Sequence, residues 1–535
     1  MKGIYLIGVI TFSVGLLMMT PSCNKGSGDP QERPREEEWT EDSLNTLPDG
    51  SSATTINIDA NIQYQTIDNF SASDGWAGQF VGKWPGTKTE AMADWLFSTD
   101  TTLNGQPLGI GLSAWRFNIG AGSAEQGDES GISDTWRRNE CFLSSNGNYY
   151  WYKQEGQQRL LILAAERGVD QFIGFATSPP VHFTKNGKAY GSQSSPQNIS
   201  VDKLPDYADF LVEVVNGIKT NTGVELTYIS PVNEPQWEWT SGSQEGCHYT
   251  NGLYLELIDV LTQKILLSGI STKIMVTEAG EWSYLYGNGN ITGNQIEMFF
   301  GPESPVSNAP ALAWIVAGHS YYSTTPYSTL VSHRKNVWNK ASTINNLKVW
   351  ATEYCPLGSG DLQELGWSSW NKDLGMDVAL YVAKIIHHDL IYANVSAWQW
   401  WLAFSPYNYP DGLIYVSKSA TNGTYTDSKL MWTLGNYSRF IRPGAKRIAA
   451  DCQSEDLYVS AYTHEGNGEK IIVITNHSEE KQAIKLNLNG IDQGNMRPYI
   501  TSGAENHKLY PLKSLRNTRI FEVPKQSVIT FVMKQ

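Results

Sequence analysis

Two glutamates stand where the sequence could do acid–base and nucleophilic chemistry. Glu234 lies in the string Ser230-Pro231-Val232-Asn233-Glu234-Pro235-Gln236-Trp237, and Glu353 in Trp350-Ala351-Thr352-Glu353-Tyr354. Each follows a run of strand-forming residues, and 119 positions separate them. A carboxyl pair facing across a cleft is the machinery of glycoside hydrolysis. One carboxyl serves as general acid and then base, while the other attacks the anomeric carbon. A separation of about 5–5.5 Å gives retention of configuration, and about 6.5–9.5 Å gives inversion. Either glutamate alone reads as a solvated loop carboxylate. The pair, each member beside aromatic residues, carries the chemical reading.

The elements that must position this pair recur along the chain. Eight β-rich runs, each ending in a polar or glycine-containing loop, occur at Gln65–Phe70, Ala114–Ile119, Gln171–Ala176, Leu226–Ser230, Lys273–Thr277, Ala313–Gly318, Lys348–Thr352 and Val395–Trp401. Between them lie stretches with apolar residues at i, i+3 and i+4, among them Gln157–Arg167, Tyr207–Lys219, Leu253–Leu267 and Leu374–Tyr392. Strand and helix alternating over this length predict an α/β protein with a parallel sheet. Eight repeats predict closure into a (β/α)8 TIM barrel over 54–440. A doubly wound sheet is the alternative, but no GxGxxG loop follows the first run. Chemistry in such barrels sits at the C-terminal strand ends. Those ends deliver Asp74 and Trp76, then Arg116, then Asn233, Glu234 and Trp237. They continue with Glu278 and Glu281, His319, Tyr321 and Tyr322, Glu353, and finally Trp398, Trp400 and Trp401. The fourth and seventh strands, which carry the two glutamates, face each other across the mouth. Glu278 and Glu281 read equally as sugar ligands or as partners of a cation, while His387-His388 reads as structural. His182 and His248 are weaker candidates for substrate contact, and Trp84 and Trp136 read as packing.

Beyond Arg442 the texture changes to short strands separated by turn residues, such as Leu457–Tyr462, Lys470–Thr475 and Val528–Met533. This predicts a small antiparallel β-sandwich over 441–535, to which 54–65 could add a strand. At the other end, Met1-Lys2 precedes an apolar run from Ile4 to Met19. That predicts a signal peptide over 1–22, too short to span a membrane comfortably. Ser22-Cys23 resembles a bacterial lipoprotein cleavage site, so Cys23 is the candidate for lipidation. The polar stretch 23–53 then reads as a flexible tether. The expected protein is exported, an outer-membrane lipoprotein touching the membrane only through its N-terminal lipid. Cys141, Cys247, Cys355 and Cys452 could pair or stay free, and their spacings match no metal motif.

A hydrophobic fraction of 40% against 18% charged residues excludes a disordered chain. The net charge of −14 argues against nucleic acid, which requires a basic footprint. With 19 Trp and 27 Tyr, the chain has aromatic faces to spare, either for packing or for stacking on sugar rings.

The sequence resembles glycoside hydrolase family 30. The matching strings are QTIDNFSASDGW at 65–76, WRFNIGAG at 115–122, ATSPP at 176–180 and SPVNEPQW at 230–237. They continue with TEAGEW at 277–282, GHSYY at 318–322, WATEY at 350–354, WQWW at 398–401 and LGNYSRFIRPGAKRI at 434–448. The resemblance implies a barrel with a side β domain. It implies Glu234 as acid/base and Glu353 as nucleophile in a retaining double displacement. It further implies that Arg116 holds the nucleophile ionised, that Asn233 bonds the sugar 2-OH, that His319 and Tyr322 line the site, and that Trp398 and Trp400 form a stacking floor. Asp74, Trp76 and Trp237 complete the expected substrate-binding set. The expected partner is a carbohydrate bound by a monomer, with no cofactor and no metal. The first-strand loop Ser71–Trp76 matches no xylan-, glucan- or glucosylceramide-cleaving branch well, and the aromatic loops sit nearest to branches acting on β-1,6-galactan. A non-catalytic glycan-binding lipoprotein or a transglycosylase would use the same surfaces.

Overall fold

The computed structural model describes residues 42–492 and 494–534. The expected signal peptide, Cys23 and most of the expected tether therefore lie outside the described residues. Eight strands form the barrel: Asn69–Ser73 (β1), Ala114–Ile119 (β2), Gln171–Ala176 (β3), Tyr228–Ser230 (β4), Lys273–Ala279 (β5), Leu312–His319 (β6), Lys348–Glu353 (β7) and Ala397–Ser405 (β8). Each pairs in parallel with the next. The circle closes because Trp398 of β8 is partner both to Ala351 of β7 and to Phe70 of β1. Ile173, Met275, Ile315, Trp350 and Ala397 fill the interior as a cluster of their own, so the barrel is a packed core.

The helices outside it form where the apolar period falls. Leu204–Thr222 begins with Pro205 in its first turn and buries Tyr207, Leu211, Val214, Val215 and Ile218 on one face. It stops at Gly223, whose φ of 75° lets the N–H bond back to Lys219. Asn251–Ser268 starts at Thr250, whose hydroxyl accepts from the Leu253 N–H.

The first barrel strand starts later than the sequence pattern predicts. Gln65 and Thr66 end a long strand, Thr54–Thr66, that belongs to the second sheet. The chain crosses between sheets at Ile67 and Asp68, whose N–H groups bond to Ala445 and Ser396. Asp68 then ties the base of the barrel by accepting from Trp350 Nε1 at 2.9 Å and Ser396 Oγ at 2.7 Å.

In that second sheet, Thr54–Thr66 lies between Lys446–Cys452, antiparallel to it, and Gln482–Asn489, parallel to it. The remaining strands continue one hydrogen-bonded path, except Leu515–Arg516, which pairs off it with Asn495–Ser502. Phe521 near one end of the path and Phe531, well along it, bring their rings to 5.1 Å. The sheet therefore bends over itself, and its two halves enclose Ile56, Ile58, Ile474, Leu486, Ile500 and Ile529 as a sandwich core. The tether reading fails at its C-terminal end. Leu44 is buried in this core and Thr46 bridges to Phe521. An apolar side chain in a polar run fills an apolar pit, and the neighbouring Leu47 N–H is paired with the Ile520 carbonyl.

A buried helix, Lys429–Ser438, joins sheet to barrel, with Asn436 Nδ2 bonded to Thr530 Oγ1 at 3.0 Å. Just past it, the Arg439 guanidinium donates to the carbonyls of Ser98, Gly109, Thr99 and Asp100. The four cysteines among the described residues are free, three of them buried.

Candidate active site

Glu234 follows β4 and Glu353 ends β7, so the closed sheet sets them across the barrel mouth. One carboxylate oxygen of each, together with a ring nitrogen of His319, lie within 4.8 Å of one another. Both side chains are nearly buried at the floor of a cavity of about 580 Å³, which they line.

Behind them lies a network that the sequence only partly disclosed. Arg116 on β2 donates through Nη1 to Glu353 Oε2 at 3.1 Å and through Nη2 to Glu278 Oε2 at 3.3 Å. Tyr321 OH donates to Glu353 Oε1 at 2.9 Å. His319, at the end of β6, reaches Glu234 Oε1 through Nδ1 and Glu278 Oε2 through Nε2, each at 2.8 Å. Thr352 Oγ1 also donates to Glu278 Oε2, at 2.9 Å. Glu278 is thus a fully buried third carboxylate that orients both cations. Of its two readings, the cation partner is the one the structure displays. Glu281 lies outside the cavity lining and accepts instead from Ser283.

The electrostatics separate these groups. Burial pushes the Glu234 carboxyl above the ordinary range. Its hydrogen bond to His319 opposes this, and the charges of Glu353 and Glu278 add to the rise. Burial would do the same to Glu278, but the Arg116 charge and bonds from His319 and Thr352 overcome it and hold that carboxyl low. Burial disfavours a charged His319, yet the field of Glu353 and the bonds to Glu234 and Glu278 raise it to about 10. Three carboxyls therefore face two cations, and one proton on Glu234 makes the cluster neutral. A trio of Glu234, His319 and Glu353 at this spacing would suit a metal ion. Both His319 ring nitrogens, however, are already engaged by carboxylates, Nδ1 by Glu234 and Nε2 by Glu278.

The backbone is strained here. Glu234, Glu278, Tyr322 and Trp76 all take positive φ, at 44°, 40°, 54° and 56°. Such conformations persist only where surroundings enforce them. For Glu234 the enforcing contact is its N–H, bonded to the Glu278 carbonyl at 2.9 Å.

Of the residues expected to bind substrate, Trp76, Asn233, Trp237 and Tyr322 line the cavity. Trp237 and Tyr322 meet edge to face at 5.8 Å. Arg116 and His319 are fully buried behind the carboxylates. Asp74 does not reach the cavity. It is fully buried and accepts from the Asn118 N–H and Gln157 Nε2, and that burial lifts its carboxyl to about 7.

Trp398 and Trp400 do not form the floor. On β8, Ala397 joins the interior cluster and Gln399 bonds Asn69 inside the barrel, so the even-numbered residues face outward. Trp398 Nε1 donates to Asp389 on the surrounding helix, and Trp400 Nε1 to the Asp411 carbonyl. Trp401 takes the place expected of them. It lines the cavity and meets Trp76 at 5.3 Å.

Of the other missed cavity residues, Trp239 and Gln244 follow β4, Leu357 follows β7, and the rest come from two further loops. Arg137, in the loop after β2, lies over the Trp76 ring at 4.3 Å. Tyr407, Asn408, Tyr409 and Asp411 come from the turn between β8 and the strand Gly412–Val416 that pairs with it. The run Tyr407-Asn408-Tyr409-Pro410-Asp411-Gly412 carried a turn signal, but nothing in it fixed which way the side chains would point. Neither His182 nor His248 lines the cavity. Trp84 and Trp136 pack, the first donating to the Ser419 carbonyl and the second against the Phe80 ring, tilted to it at 4.3 Å. His388 is held by the Lys384 carbonyl.

The family description "O-Glycosyl hydrolase family 30" matches residues 53–415. The chain belongs to glycoside hydrolase family 30. It is 26% identical over 355 residues to the glucuronoxylanase XynC of Bacillus subtilis, spanning 65% of this chain and 70% of that one. It is 21% identical over 451 residues to the endo-β-1,6-galactanase of Hypocrea rufa, spanning 81% and 83%. A solved structure described as a conserved exported protein from Bacteroides fragilis is 34% identical, with a TM-score of 0.82 over 90% of this chain and 100% of that one. This family 30 protein is a glycosidase, with a (β/α)8 barrel and a sheet-rich side domain.

Proposed function

We propose that this enzyme hydrolyses a β-linked polysaccharide with retention of configuration, by double displacement. The observation that carries the reading is the approach of the Glu234 and Glu353 carboxylates to within 4.8 Å. This oxygen-to-oxygen approach falls short of the about 6.5–9.5 Å carboxyl separation of inverting enzymes and supports the shorter, retaining range. Glu353, aimed by Arg116 and Tyr321, attacks the anomeric carbon. Glu234 gives its proton to the leaving oxygen, then removes one from the water that hydrolyses the glycosyl–enzyme ester. His319 fixes one Glu234 oxygen and leaves the other to the substrate.

As substrate we favour β-1,6-galactan cleaved internally. The galactanase relative aligns over the greater length, and the cleft is walled by Trp76, Trp237, Trp401 and Tyr407. Xylan and β-1,6-glucan are the competing substrates. The apolar leader supports export, and Ser22-Cys23 supports a lipid anchor on the outer membrane. Among the described residues no helix is long and apolar enough to cross a membrane.

Proton NMR during turnover tests the mechanism. The first-formed reducing end should be the β-anomer, and initial release of the α-anomer would refute double displacement. The raised Glu234 carboxyl makes a second prediction. Activity should persist above the ordinary glutamate range and fall only as Glu234 loses its proton. Glu234→Gln should remove that alkaline limb for aryl glycosides with good leaving groups, while lowering turnover of polysaccharide about 10²–10⁴-fold. An unchanged alkaline limb would assign it to another group.

A further inference from the structure

Buried polar atoms are almost always hydrogen-bonded, so exceptions inside a binding cavity mark where a ligand completes the structure. Two such atoms of opposite character occur in the cleft outside the catalytic cluster. Asp411 is 4% exposed and lines the cavity, and its Oδ1 has no hydrogen-bond partner among the described residues. Arg137 lines the same cavity, and its Nε is likewise buried and unbonded. The two atoms are therefore not bonded to each other. Asp411 follows β8 and Arg137 follows β2, so they flank the loop after β1 that carries Trp76. The same cavity is lined by the rings of Trp76, Trp401 and Tyr407, with Trp76 meeting the other two edge to face at 5.3 and 6.0 Å.

We propose that Asp411 and Arg137 form a sugar-binding subsite beside the catalytic pair, specific for a neutral hexose, with Asp411 accepting from and Arg137 donating to hydroxyls of a ring stacked on the Trp76–Trp401 wall. This deepens the hydrolase reading and rests on it. The occupant is chosen by charge and by hydrogen-bond type. A hydroxyl both donates and accepts, so a neutral sugar satisfies both orphaned atoms. A uronate would satisfy Arg137 but bring a carboxylate toward Asp411, whose own charged form burial already disfavours. The guanidinium is held flat on Trp76 at 4.3 Å and reaches Tyr407 at 5.2 Å, so its donors are positioned before a ligand arrives. Burial is also what lifts the Asp411 carboxyl, to about 7, with a bond from Ser405 opposing, as expected for a carboxyl still short of partners.

The test is steady-state kinetics of the full chain and of its Asp411→Asn, Asp411→Ala, Arg137→Gln and Asp411→Ala/Arg137→Gln variants. The probes are a β-1,6-galacto-oligosaccharide, a β-1,6-gluco-oligosaccharide and a uronate-bearing xylo-oligosaccharide. On the better neutral probe, Asp411→Ala should raise KM about 10- to 100-fold with kcat changed less than about threefold. The isosteric Asn variant, which covers any folding defect in Ala, should fall between. The double variant should lose less than the product of the single losses, because both residues hold one sugar. Unchanged KM in both single variants would overturn the proposal. So would preference for the uronate-bearing probe that Arg137→Gln abolishes, which would mark an anionic subsite instead. If the native chain and Glu353→Gln act equally on all three probes, the hydrolase reading fails first and this one with it.

Discussion

Glu353→Gln should lower kcat by at least about 10⁴-fold, or about 5.4 kcal/mol of transition-state stabilisation, with little change in the unfolding midpoint. Gln keeps the shape of Glu: its one oxygen can still accept from Arg116, while its NH2 can donate to the Tyr321 hydroxyl, so the network behind the cleft is largely kept. What is lost is the anionic oxygen that forms the glycosyl–enzyme bond. Glu353→Ala extends the test, because it opens space on the nucleophile's face. Azide should then attack there and yield the α-glycosyl azide from a β-glycoside. The corresponding Glu234→Ala variant should yield the β-azide, since its glycosyl–enzyme still forms and azide enters from the other side. Reversed azide stereochemistry would exchange the two roles.

The second large effect is expected at Arg116. Arg116→Met leaves Glu278 and Glu353 facing each other without the guanidinium that both contact, in a region of zero exposure for Arg116 and Glu278. Removing one partner from a buried ionic cluster costs about 3–5 kcal/mol. The deficit should depend on pH in a defined direction. The Glu278 carboxyl is held below its ordinary value in the folded state. Its contribution is therefore full above the unfolded value of about 4.3 and lost as pH falls through the lower folded one. Denaturant unfolding should show the whole deficit at pH 7 and a shrinking deficit in strong acid. A deficit independent of pH would mean that packing, not charge, is what Arg116 supplies.

The barrel was legible because its evidence is periodic. Alternating β-rich and amphipathic runs recur eight times, and β2 and β3 begin and end at the expected residues. The boundary at Gln65–Phe70 was not legible. Thr54–Thr66 and Asn69–Ser73 are both β-rich, and only tertiary pairing, through Ala445 and Ser396, assigns them to different sheets. The proposed catalytic pair could be located because strands four and seven of a closed eight-stranded sheet lie three strands apart, across its mouth. Which tryptophans line the cleft was harder. WQWW offers aromatic residues on both faces of one strand, and the choice depends on the parity set by Ala397 and Gln399. Asp74 shows the same difficulty for a carboxylate. A strand-end position suggested substrate contact, whereas Asn118 and Gln157 claim its oxygen inside the protein. Glu278 was visible as a candidate, but its bridging of Arg116 and His319 depends on distances no spacing encodes.

The most direct measurement is the identification of the covalent intermediate. The enzyme would be incubated with an activated 2-deoxy-2-fluoro-β-glycoside of the preferred sugar, digested, and the labelled peptide mapped by mass spectrometry. The fluorine slows both steps, and the good leaving group lets the ester accumulate. A single glycosyl label on Glu353 is the predicted result. A label on Glu234 or Glu278, or turnover of the probe with no ester formed, would contradict it.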